Sequence, residues 1–253
     1  MEKIDPTLYE RSKSLLENVK KNNRLVWLYV ESYLTGSIIN KKLNKLEGDL
    51  SNIKFKHKKD VYREFFSDFF LDQHFVKNKE KAFEIEPVLQ TLPATYKQFF
   101  RHYALSLQSL IVDEMENIAS DLVVYRGYSS KEIANSLADN PAYYVEGQII
   151  TNWSFLSCSF DANVAAQFAI DEACCMLKIK VPKGYHGLLV SAYPGDRFAG
   201  SKTHFRQSEI VLPMGTTLLV RQPARRVVFF PRMRETTVDV VEMEVIGRMP
   251  VSI

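Results

Sequence analysis

Long hydrophobic runs are missing from this chain. Among its 253 residues, no apolar stretch approaches the ~20 residues that a membrane-spanning helix needs. The first residues, Met1 to Pro6, also lack the apolar run of a signal peptide. With 46% hydrophobic residues, the composition is nevertheless that of an ordinary globular protein that can bury a full core. The sequence therefore predicts a globular protein with no membrane partner.

Cysteine is scarce and poorly spaced for metal binding. The three cysteines, Cys158, Cys174 and Cys175, are odd in number, and none stands at a Cys-x-x-Cys or Cys/His ligand spacing. This pattern favours a reducing compartment and predicts no bound metal. The sequence also lacks Gly-x-Ser-x-Gly, P-loop and His-Glu-x-x-His patterns, which argues against the proteases and phosphotransferases that use them.

Glycine is rare in the first half of the chain. Of the ten glycines, only Gly36 and Gly48 precede Asp121, so this half lacks the turn punctuation of a sheet protein. Its apolar residues recur at helical spacing and predict an all-helical N-terminal region. After Asp121, many short β-rich runs separated by glycine and proline predict two packed sheets. The expected fold class is α+β, with a helical region over residues 1–75 and the sheets with their leading helices over 76–253. Whether the helical region forms a separate domain stays open.

Net charge is also small. A balance of +3 and a pI near 8.6 are compatible with an acidic ligand, but they are too weak to indicate nucleic acid without clustering. Partial clustering exists near the C-terminus, and a solvated strand edge is the simpler interpretation of it. The arginines concerned are Arg221, Arg225, Arg226, Arg232 and Arg234.

The sequence contains three short motifs at the ends of predicted strands. In the first, Tyr125-Arg126-Gly127, an arginine and a glycine follow an apolar strand. A guanidinium there can hold a phosphate pair through bidentate hydrogen bonds, and Gly127 would let a flat ligand approach the backbone. An edge-strand arginine in a salt bridge is the alternative.

The second and third motifs bring hydroxyl and carboxylate groups. In Phe155-Leu156-Ser157-Cys158-Ser159 the first, third and fifth residues share a strand face. The hydroxyls of Ser157 and Ser159 can brace a carboxylate or bind a sugar, although a serine at a strand end is often only a turn residue. Gln207 and Glu209 likewise share a face at the mouth of an apolar strand, where a solvated strand end is the alternative.

Taken in order, these motifs resemble those of the mono-ADP-ribosyltransferase toxins and effectors of the cholera-toxin-like clade. The family carries an arginine on one strand, an aromatic-x-Ser-Thr-Ser strand and a Gln/Glu-x-Glu pair. The resemblance runs from about Leu122 to Ile246. It implies a two-sheet ADP-ribosyltransferase core, NAD as the substrate that supplies ADP-ribose, and no metal.

Residue by residue, the resemblance implies that Arg126 binds the phosphates of NAD and that Glu209 hydrogen-bonds the ribose 2′-hydroxyl. Ser157 would support the site beside the nicotinamide ribose, and Tyr125, Gly127 and Phe155 would complete the NAD site. Breaking the nicotinamide–ribose bond develops positive charge on the sugar, which a nearby carboxylate stabilises. Cys158 departs from the family pattern, where threonine is usual.

The resemblance also bears on the target. Gln207 would orient the nucleophile, and glutamine there goes with Asn, Gln, Thr or Asp targets, or in some members with nucleobases, whereas glutamate goes with arginine. Phe198, His204 and Phe205 lie in a polar loop that looks like the family's target-recognition loop. A protein target is expected before a nucleic acid, and the surplus N-terminal helices are expected to dock a partner or target.

The expected activity is therefore that of a toxin or effector enzyme, either cytoplasmic or delivered into a host cell without a classical signal peptide. Two alternatives stay open. One is ADP-ribosylation of a nucleobase in DNA or RNA, and the other is a catalytically silent module that only binds NAD or a partner.

Overall fold

The computed structural model describes residues 6–35, 38–52, 96–129, 140–169, 175–192, 209–231 and 235–252. As predicted, the first described part is helical. The helices are α1 (Pro6–Asn22), α2 (Arg24–Thr35), α3 (Ile38–Lys45), α4 (Tyr96–Ser109), which continues into a π-helical turn (Leu110–Glu114), and α5 (Ala162–Ala166). Within these residues no helix has the length and apolar character needed to cross a bilayer.

The second half supplies the strands. They are β1 (Leu122–Tyr128), β2 (Ile149–Asn152), β3 (Leu156–Ser159), β4 (Cys175–Val181), β5 (Leu188–Leu189), β6 (Glu209–Leu212), β7 (Thr216–Phe229) and β8 (Thr236–Arg248). Their order is β2-β7-β8-β4-β1-β3-β6-β5. Only the β4–β8 pair is parallel among the pairings of these strands.

The predicted two-sheet core is wrong, because the described strands form one mixed eight-stranded sheet. β1 is the reason: it pairs with β4 along its whole length and with β3 at a single register pair, Tyr125 with Ser159. That pair joins two groups of strands that would otherwise be separate. Sequence patterning shows short strands and turns, but it does not show one strand shared between two ladders.

A proline inside a strand caused a second error. The sequence predicts separate strands at Thr216 to Val220 and at Val227 to Phe230, whereas the structure has one continuous β7. Two register shifts, between Val220 and Gln222 and between Gln222 and Arg225, place Pro223 in an irregular part of the β7–β8 ladder. Proline is tolerated at such bulges because no ladder hydrogen bond needs its missing N–H.

The helices and the sheet share one large hydrophobic core. It contains Leu8 and Leu16 of α1, Val30 of α2, Phe99 of α4 and most inward-facing strand residues. The buried hydroxyl of Ser12 in α1 also accepts a hydrogen bond from the backbone N–H of Leu189 in the edge strand β5, at 3.1 Å. The described residues of the N-terminal helices therefore pack on the same core as the sheet. The predicted boundary between residues 75 and 76 lies outside the described residues.

The arginine cluster is a solvated, charge-paired strand face, as predicted for its described members. Arg221 and Arg225 on β7 lie 2.5 Å from Glu244 and Glu242 on β8, respectively, and Arg226 lies 3.7 Å from Asp239. All three arginines are exposed, so water screens these pairs and each contributes little to stability. Arg232 and Arg234 lie outside the described residues.

Candidate active site

A serine and a glutamate on adjacent strands are joined by a short hydrogen bond. The hydroxyl of Ser157 donates to Oε1 of Glu209 at 2.5 Å. In the antiparallel β3–β6 ladder Ser159 lies opposite Glu209, so Ser157 is the diagonal neighbour of Glu209 on the same face. Both residues are only half-buried. The result is a carboxylate that is held in place but still reachable from solvent.

An arginine on the central strand reaches the same serine. Nη1 of Arg126 donates a hydrogen bond to the backbone oxygen of Ser157 at 3.3 Å. Its guanidinium carbon lies 5.1 Å from the centroid of the Tyr128 ring. The structure therefore brings together Arg126, Ser157 and Glu209, the three residues that the sequence motifs single out on separate strands.

The N-terminal helices add two residues that the sequence reasoning missed. The hydroxyl of Tyr33 in α2 accepts a hydrogen bond from Nδ2 of Asn40 in α3 at 3.3 Å. Burial raises the pKa of Tyr33 above its ordinary range, and the negative charge of Glu209 raises it further, while Asn40 and Arg126 lower it. The tyrosine hydroxyl is therefore within electrostatic reach of both Glu209 and Arg126. Oδ1 of Asn40 is buried and has no hydrogen-bond partner among the described residues.

The helical spacing of α2 does not indicate a functional role for Tyr33. The residue falls on the same apolar stripe as Trp27 and Val30, and such a stripe normally faces the core. The available signal was chemical. A tyrosine hydroxyl within a buried stripe needs a polar partner, and Asn40 follows seven residues later.

The three other predicted NAD-binding residues occupy different surroundings. Phe155 is 2% exposed and packs edge-on against the ring of Tyr33 at 5.7 Å. Tyr125 packs with the small hydrophobic cluster around α5. A Cβ on Gly127 would lie 2.0 Å from the carbonyl oxygen of Ala165, so α5 packs directly on this glycine. These contacts give all three residues a packing reason, and their roles toward NAD stay predictions.

Cys158 is an unsuitable nucleophile. It is 3% exposed, and its thiol lies 3.7 Å from the backbone oxygen of Leu156. Burial raises the pKa of Cys158 to about 12. The positive charge of Arg126 lowers this pKa, but the effect of burial is larger. At neutral pH the thiol is therefore protonated and is a poor nucleophile.

The other predicted residues cannot be compared with the structure. Gln207 and the target-recognition residues Phe198, His204 and Phe205 lie outside the described residues. Within the part that is described, no group of three or more His, Cys, Asp or Glu side chains is arranged to hold a metal ion.

The part of the chain that carries the predicted site residues matches a known family. The family model described as ADP-ribosyltransferase exoenzyme matches residues 105–242, which is more than half of the chain. The chain belongs to the ADP-ribosyltransferase exoenzyme family. The matched range contains Arg126, Ser157 and Glu209.

Solved structures with a similar fold are bacterial ADP-ribosyltransferases and toxin components. The ADP-ribosylating toxin BECa of a binary enterotoxin of C. perfringens, solved with NADH, has a TM-score of 0.51 at 14% identity, over 94% of this chain and 48% of that one. The enzymatic component of the C2 toxin of Clostridium botulinum has 0.47 at 14% identity, over 93% and 46%. Another ADP-ribosyltransferase from Clostridium botulinum, solved in a triclinic form, has 0.48 at 12% identity, over 97% and 96%.

Chain length distinguishes this exoenzyme family member from some of those proteins. The chain spans about half the length of BECa and of the C2 toxin component. No curated protein is similar enough in sequence to count as a match.

Proposed function

We propose that this member of the ADP-ribosyltransferase exoenzyme family is a mono-ADP-ribosyltransferase that moves ADP-ribose from NAD to a protein side chain. The observation that carries the proposal is the hydrogen bond from Ser157 to Glu209 at 2.5 Å, with the guanidinium of Arg126 beside the same serine. This set has a positive group for phosphates and an oriented carboxylate for a sugar.

The side chains suit the parts of NAD. A guanidinium recognises a diphosphate through paired, charge-assisted hydrogen bonds. A carboxylate that is already held by a serine can accept a hydrogen bond from a ribose hydroxyl on its other oxygen. Both groups are hydrogen-bonded to Ser157, so they lie close enough for one extended ligand to contact them together. In NAD the diphosphate is joined directly to the nicotinamide ribose, so the arginine can hold the first while the carboxylate contacts the second.

In the proposed reaction, Glu209 stabilises the positive charge that develops on the ribose as the bond to nicotinamide breaks. Nicotinamide leaves with the bonding electron pair and becomes neutral, so no general acid is required. The target nucleophile then forms the new bond to the same ribose carbon and loses its proton to solvent water. Ser157 contributes by fixing the carboxylate before the reaction, which is the preorganisation that makes electrostatic stabilisation effective.

The target class rests on Gln207. The Gln-x-Glu arrangement, within the cholera-toxin-like clade, supports transfer to Asn, Gln, Thr or Asp side chains in preference to arginine. We further propose that Phe198, His204 and Phe205 contact this target, and that the protein acts as a toxin or effector in the cytoplasm of a cell. Docking of a partner on the N-terminal helices is part of the same proposal.

A protein target is favoured over a nucleobase by the charges on β7. Arg221, Arg225 and Arg226, the described arginines of the basic cluster, each have a carboxylate partner on β8. A surface that binds a nucleic-acid backbone needs cationic groups that can pair with its phosphates. On this face the three arginines are already paired with carboxylates, so they do not favour nucleic-acid binding.

The test follows ADP-ribose from NAD labelled on its adenylate half. The intact protein and its Glu209→Ala variant are incubated with this NAD, and cell lysate protein and total nucleic acid are supplied in parallel reactions. Free nicotinamide and bound label are then measured. We expect label on a protein band that resists nuclease and that depends on Glu209.

The other outcomes decide between the alternatives. Label that nuclease removes would show a nucleobase target. NAD binding without nicotinamide release in any mixture would instead indicate a catalytically silent module, and the transferase proposal would fail.

A further inference from the structure

Tyr128 lies directly beside the proposed phosphate-binding arginine and has no part in the function proposed above. It follows Arg126 by two residues on β1, so the two side chains share a face of the sheet. Leu177 and Cys175 lie opposite them on β4. The Tyr128 side chain is 5% exposed, which makes it a fixed surface rather than a mobile side chain.

The contact between the two side chains is a cation–π stack. The guanidinium carbon of Arg126 lies 5.1 Å from the centroid of the Tyr128 ring, within the ~6 Å over which a ring attracts a cation. A guanidinium donates hydrogen bonds only through its edge and none through its faces. The ring therefore restrains the position of the guanidinium and uses none of its donors.

The backbone oxygen of Ser157 adds the second restraint. It accepts a hydrogen bond from Nη1 at 3.3 Å, which limits rotation of the guanidinium. An arginine side chain has many rotamers, and bidentate recognition of a diphosphate needs one of them. Stacking and the carbonyl contact together select such an orientation before a ligand binds.

A cavity next to Tyr128 explains why this restraint depends on the ring. Tyr128 is part of the wall of a cavity of about 250 Å³, together with Tyr144, Leu156 and Leu177 among others. A smaller side chain at position 128 would enlarge this space instead of supporting Arg126. The guanidinium would then lose the ring that restrains its position.

We infer that Tyr128 is a positioning residue that orients the guanidinium of Arg126 for the diphosphate of NAD. The inference rests on the proposed function, because it takes NAD as the ligand of Arg126. Tyr128 therefore affects the affinity for the diphosphate of NAD and does not affect binding of its nicotinamide end.

The experiment compares two competitors that carry different halves of NAD. ADP-ribose retains the diphosphate, whereas nicotinamide has none. Their inhibition constants for NAD cleavage, with KM and kcat for NAD, are measured for the wild type and for Tyr128→Leu and Tyr128→Phe. Tyr128→Met, which fills more of the space, serves as a second test if the leucine variant does not fold. Tyr144→Leu is the matched control, since it removes a tyrosine ring from the same cavity wall.

The expected result is selective. Loss of the stack in Tyr128→Leu or Tyr128→Met weakens ADP-ribose about 2- to 30-fold and raises KM for NAD similarly, while inhibition by nicotinamide and kcat change little. Tyr128→Phe keeps the ring and restores wild-type affinity for ADP-ribose. Tyr144→Leu lowers the melting temperature without this selectivity.

Three results would overturn the inference. They are equal weakening of both competitors, the same selectivity in Tyr144→Leu, and a Tyr128→Phe variant as impaired as the leucine variant. Failure of the proposed function looks different: the wild type itself would then neither cleave NAD nor bind ADP-ribose in calorimetry.

Discussion

Substitution of Ser157 by alanine isolates the contact on which the proposed function depends. The change removes one oxygen and with it the hydrogen bond to Oε1 of Glu209, while the strand and its neighbours stay in place. A hydrogen bond to a charged group contributes roughly 1.5–3 kcal/mol. Because both residues are half-buried and water can replace part of the contact, we expect the lower part of that range. This corresponds to a fall in kcat of about 10- to 30-fold.

The assay is nicotinamide release from NAD under single-turnover and steady-state conditions, since the chemical step is then separated from product release. Ser159→Ala is the matched control. Ser159 lies on the same strand, but its hydroxyl accepts a hydrogen bond from the backbone N–H of Asp161 at 3.0 Å. We expect Ser159→Ala to lower the melting temperature and to leave the chemical step unchanged.

A folded Ser157→Ala variant with a kcat within about twofold of the wild type would refute the reasoning. The hydrogen bond would then be a packing contact, and Glu209 would be oriented by other groups. Equal losses in Ser157→Ala and Ser159→Ala would also refute it, since the effect would belong to the strand as a whole.

Three further predictions follow from packing and burial. Gly127→Ala forces its new methyl group against the carbonyl oxygen of Ala165, so we expect a loss of roughly 1–3 kcal/mol in unfolding free energy and a melting temperature about 2–10 °C lower. Cys158, whose pKa burial raises to about 12, should resist iodoacetamide in the folded protein at about pH 8, and Cys158→Ala should keep its NAD cleavage; rapid labelling or an inactive, folded variant would contradict this. Burial also raises the pKa values of Tyr33 and Tyr185. The folded state therefore holds these protons after the unfolded state has lost them, and the stability they support should fall as pH rises above about 10; a melting temperature that is constant up to pH ~11 would contradict it.

Local patterns predicted the parts of this protein that local chemistry determines. The apolar run from Cys175 to Val181 predicts a strand, and β4 has these bounds. Asp161 before an apolar helical pattern predicts an N-cap, and its side chain caps the short helix α5. Arg126, Ser157 and Glu209 could be identified because each sits at a recognisable strand end, and their order along the chain resembles a known family.

Contacts between distant segments could not be predicted in the same way. Tyr33 reaches the site only because α2 packs against the loop that carries Phe155, a contact over more than a hundred residues of chain. Gly127 illustrates a related difficulty. Its sequence context predicts that a ligand approaches the backbone of Gly127, whereas the structure shows that the carbonyl oxygen of Ala165 does. Either approach requires a residue without a side chain, so the sequence alone does not distinguish them.

The site lies where the sheet is most weakly joined, and this affects how Arg126 variants must be interpreted. β1 and β3 share one register pair, Tyr125 with Ser159. Two residues before Ser159 on β3, the backbone oxygen of Ser157 accepts a hydrogen bond from the guanidinium of Arg126. A side chain therefore makes a link between strands where the ladder does not continue. Removal of Arg126 would loosen the β1–β3 junction, and with it the serine that holds Glu209. Lost activity in such a variant indicates lost phosphate binding only if the junction is intact. Tyr128 avoids this ambiguity because its substitution leaves Arg126 present, so that the orientation of the guanidinium can be tested separately from its contribution to the sheet.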